Sequence, residues 1–120
     1  DKGVMVVVQG DLGFELPEAE VDSEARLVNN DGYAAFLDAL IAQTTAFDGQ
    51  VVLVHGDTHY FKIDKPLPDA THTLTNFTRV QTFGSPNVHW LKVDVDAASR
   101  NVFTFSPMIV AANAAKSLGK

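Results

Sequence analysis

The chain contains no cysteine, so disulfide bridges and thiolate metal sites are both excluded. This absence is compatible with the cytoplasm and the periplasm alike, and we expect a soluble protein in one of these compartments. The apolar runs are far shorter than the roughly 20 residues that span a bilayer, and no signal-peptide pattern opens the chain. We therefore expect no membrane partner. The chain begins at Asp1 rather than methionine, which fits processing, trimming or a longer parent.

Positive charge is scarce as well. The 120 residues include 9 Lys and Arg against 15 Asp and Glu, which gives a formal net charge of -6. Proteins that bind nucleic acid normally carry a basic stripe, so we expect no nucleic-acid partner. The length and a hydrophobic content of 46% suit a single globular domain.

The apolar pattern predicts a βαβ unit in the first half of the chain. Residues 4–9 and 51–54 are short aliphatic runs, typical of strands that are buried on both faces. After a loop at 10–24, a helical period spans residues 30–47, with Asp31 as the expected cap. The apolar stripe of this helix comprises Tyr33, Phe36, Leu37, Leu40, Ile41 and Thr44. Strand, crossover helix and strand predict two parallel strands.

Alternating residues predict an antiparallel meander of three strands in the second half, at 78–83, 88–96 and 102–110. The residues expected on its inward faces are Val80, Phe83, Trp90, Val93, Val95, Phe103 and Phe105. The expected fold class is therefore α/β: one βαβ unit followed by an antiparallel meander. We expect one domain over residues 1–110 and a flexible tail over 111–120, which has little apolar surface to pack.

A polar cluster follows the second aliphatic run, in the stretch VVLVHGDTHYF at residues 51–61. If the strand continues to residue 59, alternation places His55, Asp57 and His59 on one face. The carboxyl end of a strand in an open α/β sheet is where ligand sites are built. Imidazole and carboxylate suit Zn, Mn, Fe, Ni or Co, and a metal-bound water can hydrolyse an ester. The alternative is that both histidines cap the strand end while Asp57 forms a turn.

This stretch, together with KPL and NFTRVQTFGSPNVHWLKVDVD further on, resembles the last portion of bacterial calcineurin-like metallophosphoesterases. The resemblance implies half of a β-sandwich with a flanking helix, and hydrolysis of phosphate esters by water that bridges two divalent metals. The family's final motif is Gly-His-x-His, in which both histidines bind metal. Residues 56–59 fit that motif with Asp57 in place of its first histidine. The resemblance thus makes His59 the most secure ligand, while Asp57 and His55 compete for the other role.

The family's earlier motifs, an Asp-x-His, a Gly-Asp and a Gly-Asn-His, have no counterparts in this chain. After the first aliphatic run stands Gln9, whose amide oxygen is a poor ligand, with Asp11 two residues on. We therefore expect one or two divalent ions (Mn, Zn, Fe, Ni or Co) to be held by His55, Asp57, His59 and Asp11. The first three are also the expected catalytic residues.

Three functional hypotheses follow from these residues. In the first, the chain is a minimal metal-dependent phosphodiesterase that acts on a small-molecule phosphate ester, and a homodimer or higher homo-oligomer completes its site. In the second, it is a non-catalytic remnant that binds metal. In the third, it is a C-terminal fragment that is inactive without its N-terminal half.

Two further residues are candidates for substrate binding. Arg79 could hold a phosphate, and His89 could reach the site across the turn at residues 84–87. For each there is a commoner alternative: a solvated strand charge for Arg79, and a structural histidine with satisfied hydrogen bonds for His89.

Overall fold

The computed structural model describes residues 1–14 and 33–115. In these ranges the protein is a small α/β domain with one α-helix, a mixed four-stranded sheet and a separate antiparallel pair of strands. The elements in chain order are β1 (Gly3–Val7), α1 (Ala34–Ala46), β2 (Gln50–His55), β3 (Lys62–Asp64), β4 (Phe77–Gln81), β5 (Trp90–Val95), β6 (Phe103–Met108) and a 3-10 turn (Ala111–Asn113). No helix within the described ranges has the length and apolar character needed to cross a bilayer.

The predicted βαβ unit is confirmed. β1 and β2 are parallel neighbours, with Val4 opposite Val51 and Val6 opposite Leu53. The predicted stripe of α1 faces the sheet, since Leu40 and Thr44 are buried and the other members of the stripe pack partly buried around the core. Asp31 and the predicted start of the helix at residue 30 lie outside the described residues. The helix ends at Ala46, because Phe47 adopts an extended backbone.

The core lies between α1 and one face of the four-stranded sheet. Strand residues of one parity face the helix, so Val51, Leu53 and Phe77 pack together with Leu40. Residues from the connecting segments close this cluster: Leu12, Leu67 and Leu74. On the opposite face of the sheet, Val52 lines a cleft together with Phe103 and Phe105 of β6. The apolar residues of β2 therefore serve both faces, as the sequence predicted for residues 51–54.

The prediction that residues 4–9 are buried on both faces is wrong. β1 is the edge strand of the four-stranded sheet in the order β1-β2-β4-β3. Val7 is 70% exposed, and Val4 and Met5 are exposed as well. A continuous aliphatic run occurs both in a central strand and in an edge strand that a helix covers only in part. The sequence pattern therefore could not distinguish a central strand from an edge strand.

The predicted three-stranded meander is also wrong. β4 pairs in parallel with β2 and in antiparallel with β3, a short strand that the pattern did not predict. Only β5 and β6 form the expected antiparallel pair. Of the residues expected on inward faces, Val80 is fully buried, whereas Trp90 is 53% and Val95 66% exposed. Alternation indicates a strand but does not specify its partner, and a two-stranded hairpin leaves one of its faces open to solvent.

Two residues after β6 contact the segment that precedes β5. Val110 N–H donates to Nδ1 of His89 at 3.1 Å. The 3-10 turn carries Asn113, whose Nδ2 donates to the carbonyl of Val88 at 2.6 Å. Residues 116–120 of the predicted tail lie outside the described part of the chain.

Candidate functional site

The parallel strands β1, β2 and β4 end at one edge of the sheet, and three loops meet there: residues 9–14, 56–61 and 82–89. Backbone hydrogen bonds tie these loops to one another. Gly56 N–H donates to the Gln9 carbonyl at 3.1 Å, and Thr82 N–H donates to the His55 carbonyl at 2.9 Å. The carboxyl edge is therefore a connected surface, as expected for a ligand site in an α/β sheet.

The loop at 56–59 does not continue the strand. β2 ends at His55, and both Asp57 (φ 79°) and His59 (φ 74°) have positive φ angles. The expectation that His55, Asp57 and His59 share one strand face is therefore wrong, because it required extended backbone as far as residue 59. Asp and His are among the non-glycine residues that adopt this left-handed backbone most readily.

His55 points into the domain and is 1% exposed. Its Nδ1 lies 2.9 Å from the Gly56 carbonyl, and its Nε2 lies 3.2 Å from Nη1 of Arg79. Since arginine can only donate, Nε2 accepts that bond, and in the neutral ring Nδ1 carries the proton given to Gly56. Both ring nitrogens thus have partners within the protein, so the predicted roles of His55 as metal ligand and catalytic residue do not fit its surroundings.

His59 has a different environment. It is exposed, and its Nδ1 lies 2.8 Å from the carbonyl of Ser85. A carbonyl oxygen accepts, so Nδ1 is the protonated nitrogen and Nε2 carries the lone pair. The backbone is fixed on the same side, because Gly84 N–H donates to the His59 carbonyl at 3.1 Å. The fit is close: a Cβ on Gly84 would lie 2.6 Å from the His59 ring, so residue 84 must lack a side chain.

Asp11 and Asp57, the two predicted acidic ligands, are in contact at this edge. Asp11 N–H donates to Oδ2 of Asp57 at 3.2 Å, and Oδ1 of Asp11 accepts from Gly13 N–H at 2.8 Å. Asp57 is exposed and Asp11 is half-buried. Each carboxylate therefore keeps a second oxygen in addition to the one that accepts a backbone bond. The structure thus places Asp11 and Asp57 in contact through the backbone of Asp11.

A complete metal site is not formed by the described residues of one chain. Within residues 1–14 and 33–115, no group of three or more His, Cys, Asp or Glu side chains is placed to hold a metal ion. His59, Asp57 and Asp11 each offer a suitable ligand atom, and their chemistry fits Zn, Mn, Fe, Ni or Co. The predicted ligand set of His55, Asp57, His59 and Asp11 is therefore not assembled by the described residues of one chain.

The two predicted substrate-binding residues, Arg79 and His89, are engaged in contacts within the protein. Arg79 is fully buried, and its Nε and Nη2 each lie 2.6 Å from the carboxylate of Asp64. A phosphate cannot reach an enclosed and paired guanidinium, which argues against that role. His89 is half-buried, accepts from Val110 N–H through Nδ1 at 3.1 Å, and packs edge-on against the ring of Phe83. These contacts match the structural alternative for His89.

The sequence did not indicate the partners that position these side chains. Asp64 lies 15 positions before Arg79, and Ser85 lies 26 positions after His59, so no local spacing connects them. The interior near the edge also holds polar atoms that have no hydrogen-bond partner in the described part of the chain, namely Oγ1 of Thr58 and Oε1 of Gln81. Gln81 does anchor the loop, since its Nε2 donates to the Tyr60 carbonyl at 2.7 Å.

Comparison with known proteins found no matching family model, no matching curated protein and no matching solved structure. The resemblance to metallophosphoesterases therefore stays a prediction that rests on the residues quoted above.

Proposed function

We propose that this chain is a metal-dependent phosphoesterase that hydrolyses phosphodiesters, with its metal held at the carboxyl edge of the sheet. The observation that carries the proposal is the orientation of His59. Nδ1–H of His59 donates a hydrogen bond to the Ser85 carbonyl, which leaves Nε2 as the nitrogen that carries the lone pair. Metal-binding histidines commonly donate their other ring N–H to a carbonyl or carboxylate in this way.

Asp57 is the second proposed ligand. The Asp11 carboxylate is not placed to complete a group of three with His59 and Asp57 in the described residues, so the proposed role of Asp11 is to orient Asp57. The resemblance left Asp57 and His55 as competitors for one role, and the contacts of the two side chains favour Asp57. Asp57 is exposed two positions before His59, whereas both nitrogens of His55 have partners inside the domain. The Asp11 backbone orients the Asp57 carboxylate through Oδ2, so one carboxylate oxygen stays available for the ion.

A divalent ion at this place would supply a bound water of lowered pKa and would stabilise negative charge on the phosphate. The chain's own residues would orient that ion and the ester. The -6 net charge repels an anionic substrate at long range, so local charge neutralisation by the ion is the attractive term. Diesters suit such a site better than monoesters, because a diester carries one negative charge fewer.

The remaining ligands would come from a second copy of the chain. Among the described strands β1 lies at a sheet edge and exposes Val4, Met5 and Val7, and an apolar edge of this kind tends to recruit another strand. A twofold arrangement would double the number of histidines and carboxylates near the axis. The incomplete ligand set equally supports an alternative, in which the chain supplies half a site to a longer parent and by itself only binds metal.

The test is hydrolysis of an aryl phosphodiester by chelated protein to which Mn²⁺ or Zn²⁺ is added back, with the oligomeric state measured by light scattering. His59→Ala should abolish the metal-dependent turnover. The matched control is His72→Ala, since His72 is exposed in a different loop, where its Nδ1 contacts Oγ1 of Thr71. Metal binding without turnover supports the half-site alternative. A folded protein that neither binds metal nor turns over refutes both.

A further inference from the structure

Three charged or polar side chains form a continuous line through the interior of the sheet. Asp64 on β3, Arg79 on β4 and His55 on β2 belong to adjacent strands. The carboxylate of Asp64 accepts two bonds of 2.6 Å from Arg79, and Nη1 of Arg79 lies 3.2 Å from Nε2 of His55. The ring of Phe14 covers the guanidinium, with its centroid 5.3 Å from the central carbon. The proposed metal site makes no direct use of this line.

The line ends at the peptide bond between Gly56 and Asp57, in the loop at residues 56–59. Because Arg79 donates to Nε2, the neutral ring of His55 carries its proton on Nδ1. Nδ1–H donates a hydrogen bond to the Gly56 carbonyl at 2.9 Å. The same carbonyl accepts from Thr58 N–H at 3.1 Å. The orientation of the peptide after residue 56 is thus set by a charge that lies on β4, the strand next to β2.

The loop needs such support. Asp57 and His59 both have positive φ, which Asp and His adopt more readily than other non-glycine residues but which still costs free energy, so two such residues in one short loop depend on the contacts around them. Stability gives no reason for charged residues in the line itself, since apolar residues of similar size usually stabilise a core as well or better. A role in placing the loop is the reason that the contacts suggest.

We propose that Asp64, Arg79 and His55 form a positioning relay, which fixes the tautomer of His55 and thereby the conformation of residues 56–59. The relay stands on its own contacts, and its effect on metal binding rests on the proposed function. Arg79 acts as a positioning residue, because it acts on Asp57 and His59 only through His55. Disruption of the relay should displace the side chains of Asp57 and His59 from the proposed metal site.

The experiment compares Arg79→Lys with the wild-type chain. Lysine keeps the positive charge beside Asp64, but it cannot bond the carboxylate in a bidentate manner and also reach His55. Asn76→Ala is the matched control: Nδ2 of Asn76 donates to three carbonyls at the opposite end of the sheet, so the variant loses buried hydrogen bonds without touching the loop.

Three measurements are made on each protein. Long-range ¹H–¹⁵N spectra report which nitrogen of His55 carries the proton, backbone amide shifts of Asp57 and His59 report the loop, and calorimetric titration with Zn²⁺ reports metal affinity. We expect Nδ1–H in the wild type, displaced amide shifts in Arg79→Lys, and a loss of Zn²⁺ affinity of roughly 10- to 100-fold, the usual effect of removing a partner behind a metal ligand. Asn76→Ala should change none of these.

Unchanged amide shifts in folded Arg79→Lys would overturn the relay, as would an Nε2–H tautomer of His55 in the wild type. Should Arg79→Lys fail to fold, His55→Asn and His55→Gln replace it. Asn places its amide nitrogen near the position of Nδ1 and keeps the bond to Gly56, whereas Gln reaches only the position of Nε2. The relay requires that Gln disturb the loop more than Asn. If the wild type binds no Zn²⁺, the proposed function fails while the tautomer and amide shifts still decide the relay.

Discussion

Removal of the Asp64 carboxylate should destabilise the domain strongly, because it leaves the Arg79 charge buried without its carboxylate partner. Arg79 is 0% exposed and both of its bonds to Asp64 are 2.6 Å long. Breaking a buried pair from one side typically costs about 3–5 kcal/mol. The Asp64 side chain is 30% exposed, so water can partly replace the carboxylate, and we expect the lower end, about 3 kcal/mol.

Urea denaturation followed by circular dichroism measures this cost. With a slope of roughly 1–3 kcal/mol/M, a loss of about 3 kcal/mol lowers the midpoint by roughly 1–3 M. The control is Asp94→Ala, which breaks the pair of Lys92 and Asp94 at 3.7 Å, where both side chains are more than half exposed. Exposed pairs contribute about 0–1 kcal/mol. An Asp64→Ala midpoint no lower than that of Asp94→Ala would refute the reasoning. Combining Asp64→Ala with Arg79→Met should recover most of the loss, since no buried charge is then left.

Two further predictions concern groups away from the site. Backbone N–H groups of His72 and Thr71 donate to the Asp69 carboxylate and lower the pKa of Asp69 below its ordinary value of 3.8. The ionised carboxylate therefore stabilises the fold above that pH, and the contribution is lost as the pH falls through the lowered pKa. Asp69→Asn should lower the thermal midpoint at pH 7, and its midpoint should converge with that of the wild type in acid. Thr44→Val should leave the thermal midpoint unchanged or raise it, because the Thr44 hydroxyl is buried without a hydrogen-bond partner in the described part of the chain. A lower thermal midpoint would contradict this prediction, since it would mean that the hydroxyl has a partner.

The features that the sequence predicted correctly depend on local periodicity. The stripe of α1 repeats at helical spacing, and the aliphatic runs on either side of it predict two strands, of which only β2 is buried on both faces. Because such strands joined by a helix are almost always parallel, β1 and β2 could be paired from the sequence alone. The position of the carboxyl edge followed from that pairing.

The features that were missed depend on contacts between distant residues. Nothing in the residues of β4 favours a parallel place beside β2 over a meander with β5, since either arrangement buries Val80. The direction of His55 was missed for a similar reason. Its position after an apolar run is compatible with an outward ligand, and only the buried guanidinium of Arg79, 24 positions later, turns it into an internal acceptor. A single sequence does not contain that pairing.

The left-handed backbone at Asp57 and His59 sets stability and activity against each other. Glycine adopts these angles without steric cost, so a glycine at either position would relieve backbone strain while it removed the hydrogen bond of that side chain to Asp11 N–H or to the Ser85 carbonyl. The same exchange would delete the imidazole and the carboxylate on which the proposed chemistry depends. Selection for thermal tolerance alone therefore does not protect these two side chains, and a screen without an activity readout would not register the loss of function in a variant carrying Asp57→Gly or His59→Gly.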